Sequence, residues 1–250
     1  MSNIELSGKV ALVTGAAKNI GRSIALSLAA GGAAVGVNAL SSREEADAVV
    51  KEIRDGGGKA ELFMADITDA AAVLAMVDGT VKQFGRLDIL VLNASYRKET
   101  PFVDMTFEEW RRVMSITLDG SFHCIKASLP HLIKSGSGNI VTLGGDNALS
   151  GGVGKVNSST AKNGLVGMTR ALAKELAQYG IRVNCVSPGP IDTSRPAYRK
   201  ESKPVEGRVP LGRKGHPDEI AATVRFVCGA GGGFITGQTI HVNGGTLMSS

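Results

Sequence analysis

Short apolar segments alternate with longer amphipathic segments along the whole chain, and this alternation constrains the fold most strongly. Several of the short segments are apolar on both faces, as β-strands are when helices cover both sides of a sheet. The intervening segments carry apolar residues at helical spacing, for example Ile20, Ile24 and Leu28. The pattern predicts an α/β fold with a doubly wound parallel sheet of seven strands flanked by helices. The predicted strands cover residues 9–14, 34–38, 61–65, 87–92, 139–143, 181–186 and 239–242.

Length and composition indicate one soluble domain. The chain has 250 residues, of which 43% are hydrophobic and 20% are charged, so it can bury one sizeable core. It contains no apolar run long enough to span a bilayer, and residues 1–9 lack the basic and apolar parts of a secretory signal. We therefore expect a cytoplasmic protein with a single domain over residues 1–250. The polar stretch at 193–210 has turn signals at Pro196, Pro204 and Pro210 and predicts a mobile substrate lid.

The cysteines and the charges exclude several functions. The three cysteines, Cys124, Cys185 and Cys228, are widely spaced within apolar patterns, so we expect reduced core residues and no metal site. The net charge is +5, and a basic cluster lies between Arg195 and Arg213. No aromatic residues interleave with that cluster, which disfavours a nucleic-acid partner, whereas an anionic small molecule suits it. Neither a membrane partner nor a nucleic-acid partner is expected.

A glycine-bearing turn follows the first predicted strand. Gly15 and Gly21 flank the segment that leads from this strand into the first predicted helix. In such a turn the backbone N–H groups and the helix N-terminus face an anion such as a pyrophosphate. A tight structural turn would also use glycine, and the surrounding sequence decides between the two interpretations.

The surrounding sequence resembles the short-chain dehydrogenase/reductase family, whose fingerprint is T-G-x-x-x-G-x-G. Thr14, Gly15, Ile20 and Gly21 match this fingerprint, while Asn19 replaces its middle glycine. Asparagine tolerates a left-handed backbone better than most residues, so we expect the turn to survive and its side chain to donate a hydrogen bond. The resemblance implies a Rossmann-type fold that binds a nicotinamide dinucleotide.

The resemblance continues to the C-terminus and implies further cofactor contacts. Asp66 and Ile67 match the segment that contacts the adenine. Asn93 and Ala94 match the family's N-N-A-G motif, and residues 236–245 match its C-terminal signature. The family's P-G-x-I-x-T segment, which lies near the nicotinamide amide, is represented by Pro188, Gly189, Ile191 and Thr193.

The charges expected near the adenosine ribose favour NADP(H). NAD-preferring sites usually place a carboxylate at the end of the second strand, and none is present here. Ser41, Ser42 and Arg43 follow that strand instead, and Lys18 lies in the glycine turn. Hydroxyl groups and cations suit a 2′-phosphate, because charge-assisted hydrogen bonds to phosphate are strong. If Arg43 only begins a solvated helix face, NAD(H) remains a possible cofactor.

The resemblance fails at the catalytic positions. Family members use a tyrosine and a lysine spaced Y-x-x-x-K, together with a serine and an asparagine. Lys162 is retained, but Ser158 occupies the tyrosine position. Gly145 occupies the serine position, and Thr117 occupies the asparagine position. Loss of positioned acid–base help typically lowers the rate about a hundred- to ten-thousand-fold. Lys162 retains a binding role, because in the family this lysine also hydrogen-bonds the nicotinamide ribose.

Other side chains are candidates to replace the tyrosine. Asp146 follows the lost serine and would act as an acid if burial raised its pKa; the alternative is that it caps a loop. Tyr96 lies just after Asn93, and Tyr198 lies on the predicted lid; each would serve if its phenol pointed inward, the alternative being surface packing. The candidate catalytic residues are therefore Lys162, Ser158, Asp146 and Tyr96.

These observations leave two classes of function open. One is an NADP(H)-dependent oxidoreductase whose substrate, such as an iminium ion or a conjugated double bond, accepts hydride without protonation by tyrosine. The other is a catalytically silent NADP(H)-binding protein, with non-redox chemistry in the same pocket as an intermediate case. The basic residues of the lid favour an anionic substrate, although a solvated surface explains them equally well: Arg195, Arg199, Lys200, Lys203 and Arg208. The resemblance also implies a homotetramer or homodimer.

Overall fold

The seven predicted strands form one parallel sheet. The computed structural model describes residues 4–194, 205 and 207–248. The strand order is β3-β2-β1-β4-β5-β6-β7, and every neighbouring pair is parallel. The strands are β1 (Val10–Val13), β2 (Ala34–Ala39), β3 (Lys59–Met64), β4 (Ile89–Leu92), β5 (Asn139–Leu143), β6 (Arg182–Pro188) and β7 (Thr239–Val242). The predicted Rossmann-type doubly wound sheet is confirmed.

Helices connect the strands and cover both faces of the sheet. They are α1 (Asn19–Ala30), α2 (Arg43–Asp55), α3 (Ala70–Phe84), α4 (Phe107–Met114), α5 (Gly120–Ser135), α6 (Asn147–Ser150), α7 (Val156–Leu176) and α8 (Pro217–Cys228). A single π-helical turn, Ser115–Asp119, joins α4 to α5. None of the helices in the described ranges is long and apolar enough to cross a membrane.

Successive residues of the buried strands point to opposite faces of the sheet and build a core on each face. In β1, Ala11 and Val13 pack into a cluster with α1, α2 and α8, whereas Val10 and Leu12 pack into a cluster with α3, α5 and α7. Fully burying a side chain such as Leu12 contributes about 1.5–3 kcal/mol. Two-sided burial explains why the strands are apolar on both faces. All three cysteines are buried, as predicted.

Some helices begin at a side-chain cap, whereas α1 does not. Asp69 begins α3 by accepting hydrogen bonds from the backbone N–H groups of Ala71 and Ala72, and Gly85 ends that helix at a φ of +86°. In α1 the cap position, Lys18, contributes no side-chain hydrogen bond, and the first turn holds no acidic residue. The positive end of α1 is therefore available to an external anion.

The strand order places the candidate site at one edge of the sheet. β1 is flanked by β2 and β4, so the chain leaves β1 and β4 in opposite directions and opens a crevice at their carboxyl ends. The residues predicted to bind the cofactor follow strands at this edge or lie on α7 beside it. Most of the predicted lid at 193–210 lies outside the described residues, including Tyr198 and four of its five basic residues.

Candidate functional site

The glycine turn packs tightly against the end of β4. Gly15 has a φ of +60°, and a Cβ atom there would lie 3.0 Å from the Cα atom of Ala94. A Cβ atom on Gly21 would lie 2.2 Å from the carbonyl oxygen of Gly15. No side chain larger than hydrogen fits at either position without a shift of the backbone. The turn between β1 and α1 is therefore closed by its own packing.

Asn19 adopts the left-handed backbone expected of it. Its φ of +51° is the only positive φ of a non-glycine residue in the described part of the chain. The side-chain oxygen accepts hydrogen bonds from the backbone N–H of Ser194 at 2.9 Å and from its hydroxyl at 3.0 Å, and the side-chain amide donates to the Ser194 carbonyl. The predicted hydrogen bond is thus confirmed, and it ties the glycine turn to the segment after β6.

Asn93 and Ala94 hold the turn in place through Thr14. The side-chain amide of Asn93 donates to the carbonyl oxygens of Thr14 and Gly15 at 3.0 and 2.9 Å. The backbone N–H groups of Asn93 and Ala94 donate to the Thr14 hydroxyl at 3.0 and 3.1 Å. In this structure, the Asn93 side chain therefore acts on the turn itself.

Asn38 is a site residue that the sequence analysis missed. It is 2% exposed, and its side-chain oxygen accepts a hydrogen bond from the Gly15 N–H at 3.2 Å. Its amide donates to the carbonyl oxygens of Phe63 and Ala65 at 3.1 and 3.2 Å. A polar residue inside an otherwise apolar strand was the available signal, because a buried amide needs hydrogen-bond partners.

The residues after β2 form a polar corner with Lys18. Ser41 and Ser42 follow β2, and Arg43 is the first residue of α2. The Lys18 ammonium lies 2.5 Å from the Glu45 carboxylate, and both side chains are about half exposed. The Lys18 side chain holds down the pKa of Glu45. The structure thus places Lys18 near the start of α2, as predicted, and adds Glu45 as its partner.

Asp66 and Ile67 follow β3 and line the same edge. One carboxylate oxygen of Asp66 accepts hydrogen bonds from the backbone N–H and the hydroxyl of Thr68, both at 2.8 Å. Ile67 is buried next to Gly120. A Cβ atom on Gly120 would lie 2.7 Å from the Ile67 side chain. These contacts shape the loop between β3 and α3 and bring the start of α5 beside it.

The segment after β6 crosses the carboxyl end of the sheet. The Pro188 carbonyl accepts a hydrogen bond from the backbone N–H of Asp146, and the Gly189 N–H donates to Val242. A Cβ atom on Gly189 would lie 2.5 Å from the Cα atom of Asn243, so this close approach requires glycine. Beyond it, Ile191 pairs with Gly215 in an isolated bridge, and Thr193 follows.

Lys162 projects from α7 toward the end of β5. Its ammonium donates to the Leu143 carbonyl at 2.5 Å. Burial lowers the pKa of Lys162 to about 8, and the charge of Arg97 adds to the lowering, whereas Cys185 opposes it. Lys162 is therefore an ionisable group held mostly out of water at the centre of the candidate site.

The small residues beside Lys162 differ in their surroundings. The Ser158 hydroxyl, one helical turn before Lys162, donates to the Lys155 carbonyl at 3.3 Å. Gly145 faces open space, since no atom lies within 4 Å of where its Cβ atom would be. At Gly144 a Cβ atom would lie 2.8 Å from the Cys185 sulfur. Gly144 is therefore required by packing, whereas Gly145 leaves a gap.

Thr117 belongs to the π-helical turn between α4 and α5. It is 1% exposed, and its carbonyl oxygen accepts a hydrogen bond from the Ser121 hydroxyl at 2.6 Å. The Thr117 carbonyl therefore has a side-chain donor in the π-helical turn, where the backbone hydrogen-bond pattern of the helix is irregular.

The other two catalytic candidates are engaged elsewhere. Asp146 accepts hydrogen bonds from the backbone N–H and side-chain amide of Asn147 at 2.7 and 2.9 Å, and so caps α6. The ring of Tyr96 packs against α4, with the Arg112 guanidinium 4.4 Å from its centroid. The structure thus gives each residue a structural role, as the alternative interpretations of the sequence anticipated.

The arrangement as a whole suits a dinucleotide. An uncapped helix N-terminus stands behind a closed glycine turn, and the side chains of Asn38 in β2 and Asn93 just after β4 are hydrogen-bonded to the backbone of that turn. Hydroxyl groups and cations follow β2, and Lys162 is hydrogen-bonded to Leu143 at the end of β5, two residues before Gly145. The donor set matches pyrophosphate, ribose and phosphate groups.

Comparisons with known proteins match nearly the whole chain. Residues 15–246 match the family model described as enoyl-(acyl carrier protein) reductase. A 3-oxoacyl-[acyl-carrier-protein] reductase of Synechocystis sp. is 40% identical over 244 residues, covering 97% of this chain and 98% of that protein.

Solved structures show the same architecture. A short-chain dehydrogenase of Burkholderia cenocepacia in complex with NADP has a TM-score of 0.90 at 34% identity, covering 97% of this chain and 99% of that chain. A blue fluorescent protein from a metagenomic library, in complex with NADPH, has a TM-score of 0.91 at 35% identity, covering 98% and 100%. The chain described here belongs to the short-chain dehydrogenase/reductase family of oxidoreductases.

Proposed function

We propose that this protein is an NADP(H)-dependent oxidoreductase with an atypical active site, acting on a substrate that accepts hydride without a tyrosine acid. The observation that carries the proposal is Lys162, which is held largely out of water by the Leu143 carbonyl, while Gly145, two residues after Leu143, faces open space. The position one turn before Lys162 holds Ser158 in place of the tyrosine of the family pattern.

The preference for NADP(H) rests on the corner between β2 and α2. Lys18, Ser41, Ser42 and Arg43 would hold the 2′-phosphate, with Lys18 already positioned by Glu45. The backbone N–H groups at the start of α1 would face the pyrophosphate. That the two solved relatives contain NADP and NADPH supports the same choice.

The chemistry available at the site follows from the residues that remain. The cofactor supplies a hydride, and the protein supplies position and charge. Lys162 donates hydrogen bonds at the centre of the site and contributes a positive charge that would stabilise developing negative charge. Ser158 is a far weaker acid than a tyrosine activated by lysine. An iminium ion or a conjugated double bond therefore suits this pocket better than a simple ketone.

A catalytically silent NADP(H)-binding protein is the second candidate. The Ser158 hydroxyl donates to the Lys155 carbonyl, and Asp146 and Tyr96 are engaged in structural contacts. Unless Lys162 or water transfers the proton, these residues would support binding without turnover.

One experiment separates the two candidates. NADPH oxidation is followed at steady state with a panel of iminium, enone and ketone compounds, together with a 3-oxoacyl thioester because the Synechocystis relative is named for that reduction. Turnover of the iminium or enone substrates well above that of the ketones supports the proposal. Tight NADPH binding by calorimetry with no turnover on the whole panel would support the silent alternative.

Restoring the missing groups tests the alignment of the active site. We expect the double variant Ser158→Tyr, Gly145→Ser to gain ketone reduction by at least about a hundredfold, the lower range for positioned acid–base catalysis. Gly145 has room for a side chain. Gly144→Ser with the same tyrosine is the matched control and should fail, because its Cβ atom would meet the Cys185 sulfur. Equal activity of the two double variants would contradict the assignment.

A further inference from the structure

The start of α1 and the start of α2 are joined by one ion pair. Lys18 occupies the cap position of α1, where its backbone is extended and its side chain makes no cap hydrogen bond. The side chain reaches α2 instead, and its ammonium group lies 2.5 Å from a carboxylate oxygen of Glu45. Both side chains are about half exposed, so the pair lies where a ligand can reach it.

Glu45 is one of two carboxylates in the first turn of α2. Glu44 precedes it, and both charges suit the positive end of the helix dipole. Their contacts differ, because Glu45 pairs with Lys18 whereas no ion pair of Glu44 is found among the residues that the structure describes. Glu44 thus shares the helical turn and the charge of Glu45 but not its contact with Lys18.

The polar corner formed by Lys18 and the residues after β2 offers several donors to an anion. Ser41 and Ser42 supply hydroxyl groups, and Ser42 makes no side-chain cap hydrogen bond with α2. Arg43 supplies a guanidinium group. The Lys18 ammonium already has an anionic partner in Glu45. The pKa of Glu45 is lowered chiefly by the hydrogen bond from Lys18, which agrees with this contact.

A 2′-phosphate at this corner and the Glu45 carboxylate require the same cation. A phosphate monoester carries a charge of about −1.5 to −2 at pH 7 and forms strong charge-assisted hydrogen bonds with an ammonium group. If Lys18 turns to the phosphate, it gives up Glu45; if it keeps Glu45, two like charges lie side by side. Glu45 holds Lys18 at the corner, but the same contact opposes a phosphate there. A dinucleotide with a 2′-hydroxyl group does not meet this opposition.

We propose that Glu45 is a specificity-determining residue, a counter-ion of Lys18 that competes with the 2′-phosphate and limits the preference for NADP(H) over NAD(H). The inference rests on the NADP(H) preference in the proposed function, since it takes the polar corner to be the phosphate site. It gives Glu45 the opposite effect to Lys18: the lysine favours the phosphate, and the glutamate moderates that preference.

Two pairs of ligands test the role of Glu45 by binding alone. NADPH and NADH are compared by calorimetry, as are 2′,5′-ADP and 5′-AMP, which differ only in the 2′-phosphate and lack the nicotinamide half. We expect Glu45→Gln to lower the Kd for NADPH and for 2′,5′-ADP by about three- to tenfold, because the ion pair no longer opposes the phosphate and a like charge is removed. The Kd values for NADH and 5′-AMP should stay within about twofold, since neither ligand carries the 2′-phosphate.

Glu44→Gln is the matched control. It removes the same charge from the same helical turn and leaves the ion pair between Lys18 and Glu45 intact, so the Kd for NADPH should change by less than about twofold. The gain in Glu45→Gln should shrink as salt is raised, because salt screens exposed charges. Thermal unfolding should show a small and similar shift in both variants, since each loses a favourable charge at the start of α2.

A second background tests whether the effect passes through Lys18. Lys18→Gln removes the cation for which the carboxylate and the phosphate compete, so it should raise the Kd for NADPH. In that background Glu45→Gln should lower the Kd by less than about twofold, because no ammonium group is released. A gain as large as in the unaltered background would indicate direct repulsion between Glu45 and the phosphate and would contradict competition for Lys18.

Other outcomes would also overturn the inference. An unchanged Kd for NADPH in Glu45→Gln would show that Glu45 does not compete, and a higher Kd would show that its hold on Lys18 assists the phosphate. An equal gain in Glu44→Gln would reduce the effect to overall charge. Equal binding of 2′,5′-ADP and 5′-AMP by every variant would reject both the role of Glu45 and the phosphate site. The proposed redox function is rejected separately, by absence of NADPH turnover on the substrate panel, and that result would leave the ratios of Kd values as the test of Glu45.

Discussion

Lys162 shows how one side chain can retain its place when its catalytic partners are replaced. Its ammonium is fixed by the Leu143 carbonyl at 2.5 Å, a bond that needs neither a tyrosine at residue 158 nor a serine at residue 145. Because the fold itself holds this lysine, its altered pKa persists although the neighbouring positions hold Ser158 and Gly145. The chemistry of the site therefore depends on a lysine that is held largely out of water.

The lowered pKa of Lys162 should make the unfolding free energy of the protein depend on pH. The pKa of Lys162 is about 8 in the folded protein, against about 10.4 for lysine in an unfolded chain. Between these values the unfolded chain binds more protons than the folded protein, so the contribution of Lys162 to stability rises with pH over this window. Below it the full penalty of burying the charge is present. Urea unfolding of the protein and of Lys162→Met measures the effect.

The comparison between the two proteins isolates the lysine from other titrating groups. We subtract the unfolding free energy of the unaltered protein from that of Lys162→Met. This difference should fall as pH rises from about 8 to about 10, because only the unaltered protein gains the stability that Lys162 contributes. Parallel pH profiles for the two proteins would contradict the lowered pKa of Lys162.

Among the secondary-structure elements, Asn38 connects three that meet at the cofactor edge. It lies near the end of β2, receives the Gly15 N–H from the turn before α1, and donates to carbonyl groups at the end of β3 and just after it. Its own carbonyl oxygen accepts from the Ala16 N–H at 2.8 Å. The position of the glycine turn is thus set by a strand that is distant in sequence.

Removing the Asn38 side chain should loosen this edge. Asn38→Ala leaves a buried donor and two buried acceptors without a partner, and we expect a loss of about 1–3 kcal/mol in unfolding free energy. The Kd for NADPH should rise, because the turn that faces the pyrophosphate loses one of its anchors. Urea unfolding and fluorescence titration measure the two effects. Asn184→Ala, which removes a buried asparagine from β6, is the control and should destabilise without the same loss of NADPH affinity.

Across the whole molecule, both faces of the sheet are covered, but large apolar side chains remain exposed along α4 and α5. Phe122 on α5 is 56% exposed and Phe107 on α4 is 70% exposed. Exposed apolar surface of this kind is typical of protein–protein contacts. Together with the oligomers that the family resemblance implies, it predicts self-association through this surface.

A charge at the surface of α5 should disrupt that association. We expect Phe122→Asp to shift the protein to a smaller species in analytical ultracentrifugation, because a carboxylate cannot be buried there unpaired. Leu74→Asp is the control, since it adds the same charge at a residue that is 51% exposed on the neighbouring helix α3. If both variants sediment as the unaltered protein does, α5 is not the contact surface.

The sequence alone determined the class of fold and the place of the dinucleotide turn. The seven strands were predicted within a few residues, and the left-handed backbone at Asn19 was anticipated. These features depend on local properties, namely the spacing of apolar residues and the allowed backbone angles of one residue. Motifs such as the glycine turn are likewise continuous in sequence.

Only the tertiary structure decided how the site is held and what surrounds its lysine. The bonds of Asn38 and Asn93 to the glycine turn join residues 23 and 78 positions apart, and those between Asn19 and Ser194 join residues 175 apart. The hydrogen bond from the Thr100 N–H to the Gly154 carbonyl likewise joins two loops that follow different strands. Such contacts arise from the order of strands in the sheet, which brings distant segments together at one edge, and no local pattern of residues records that order.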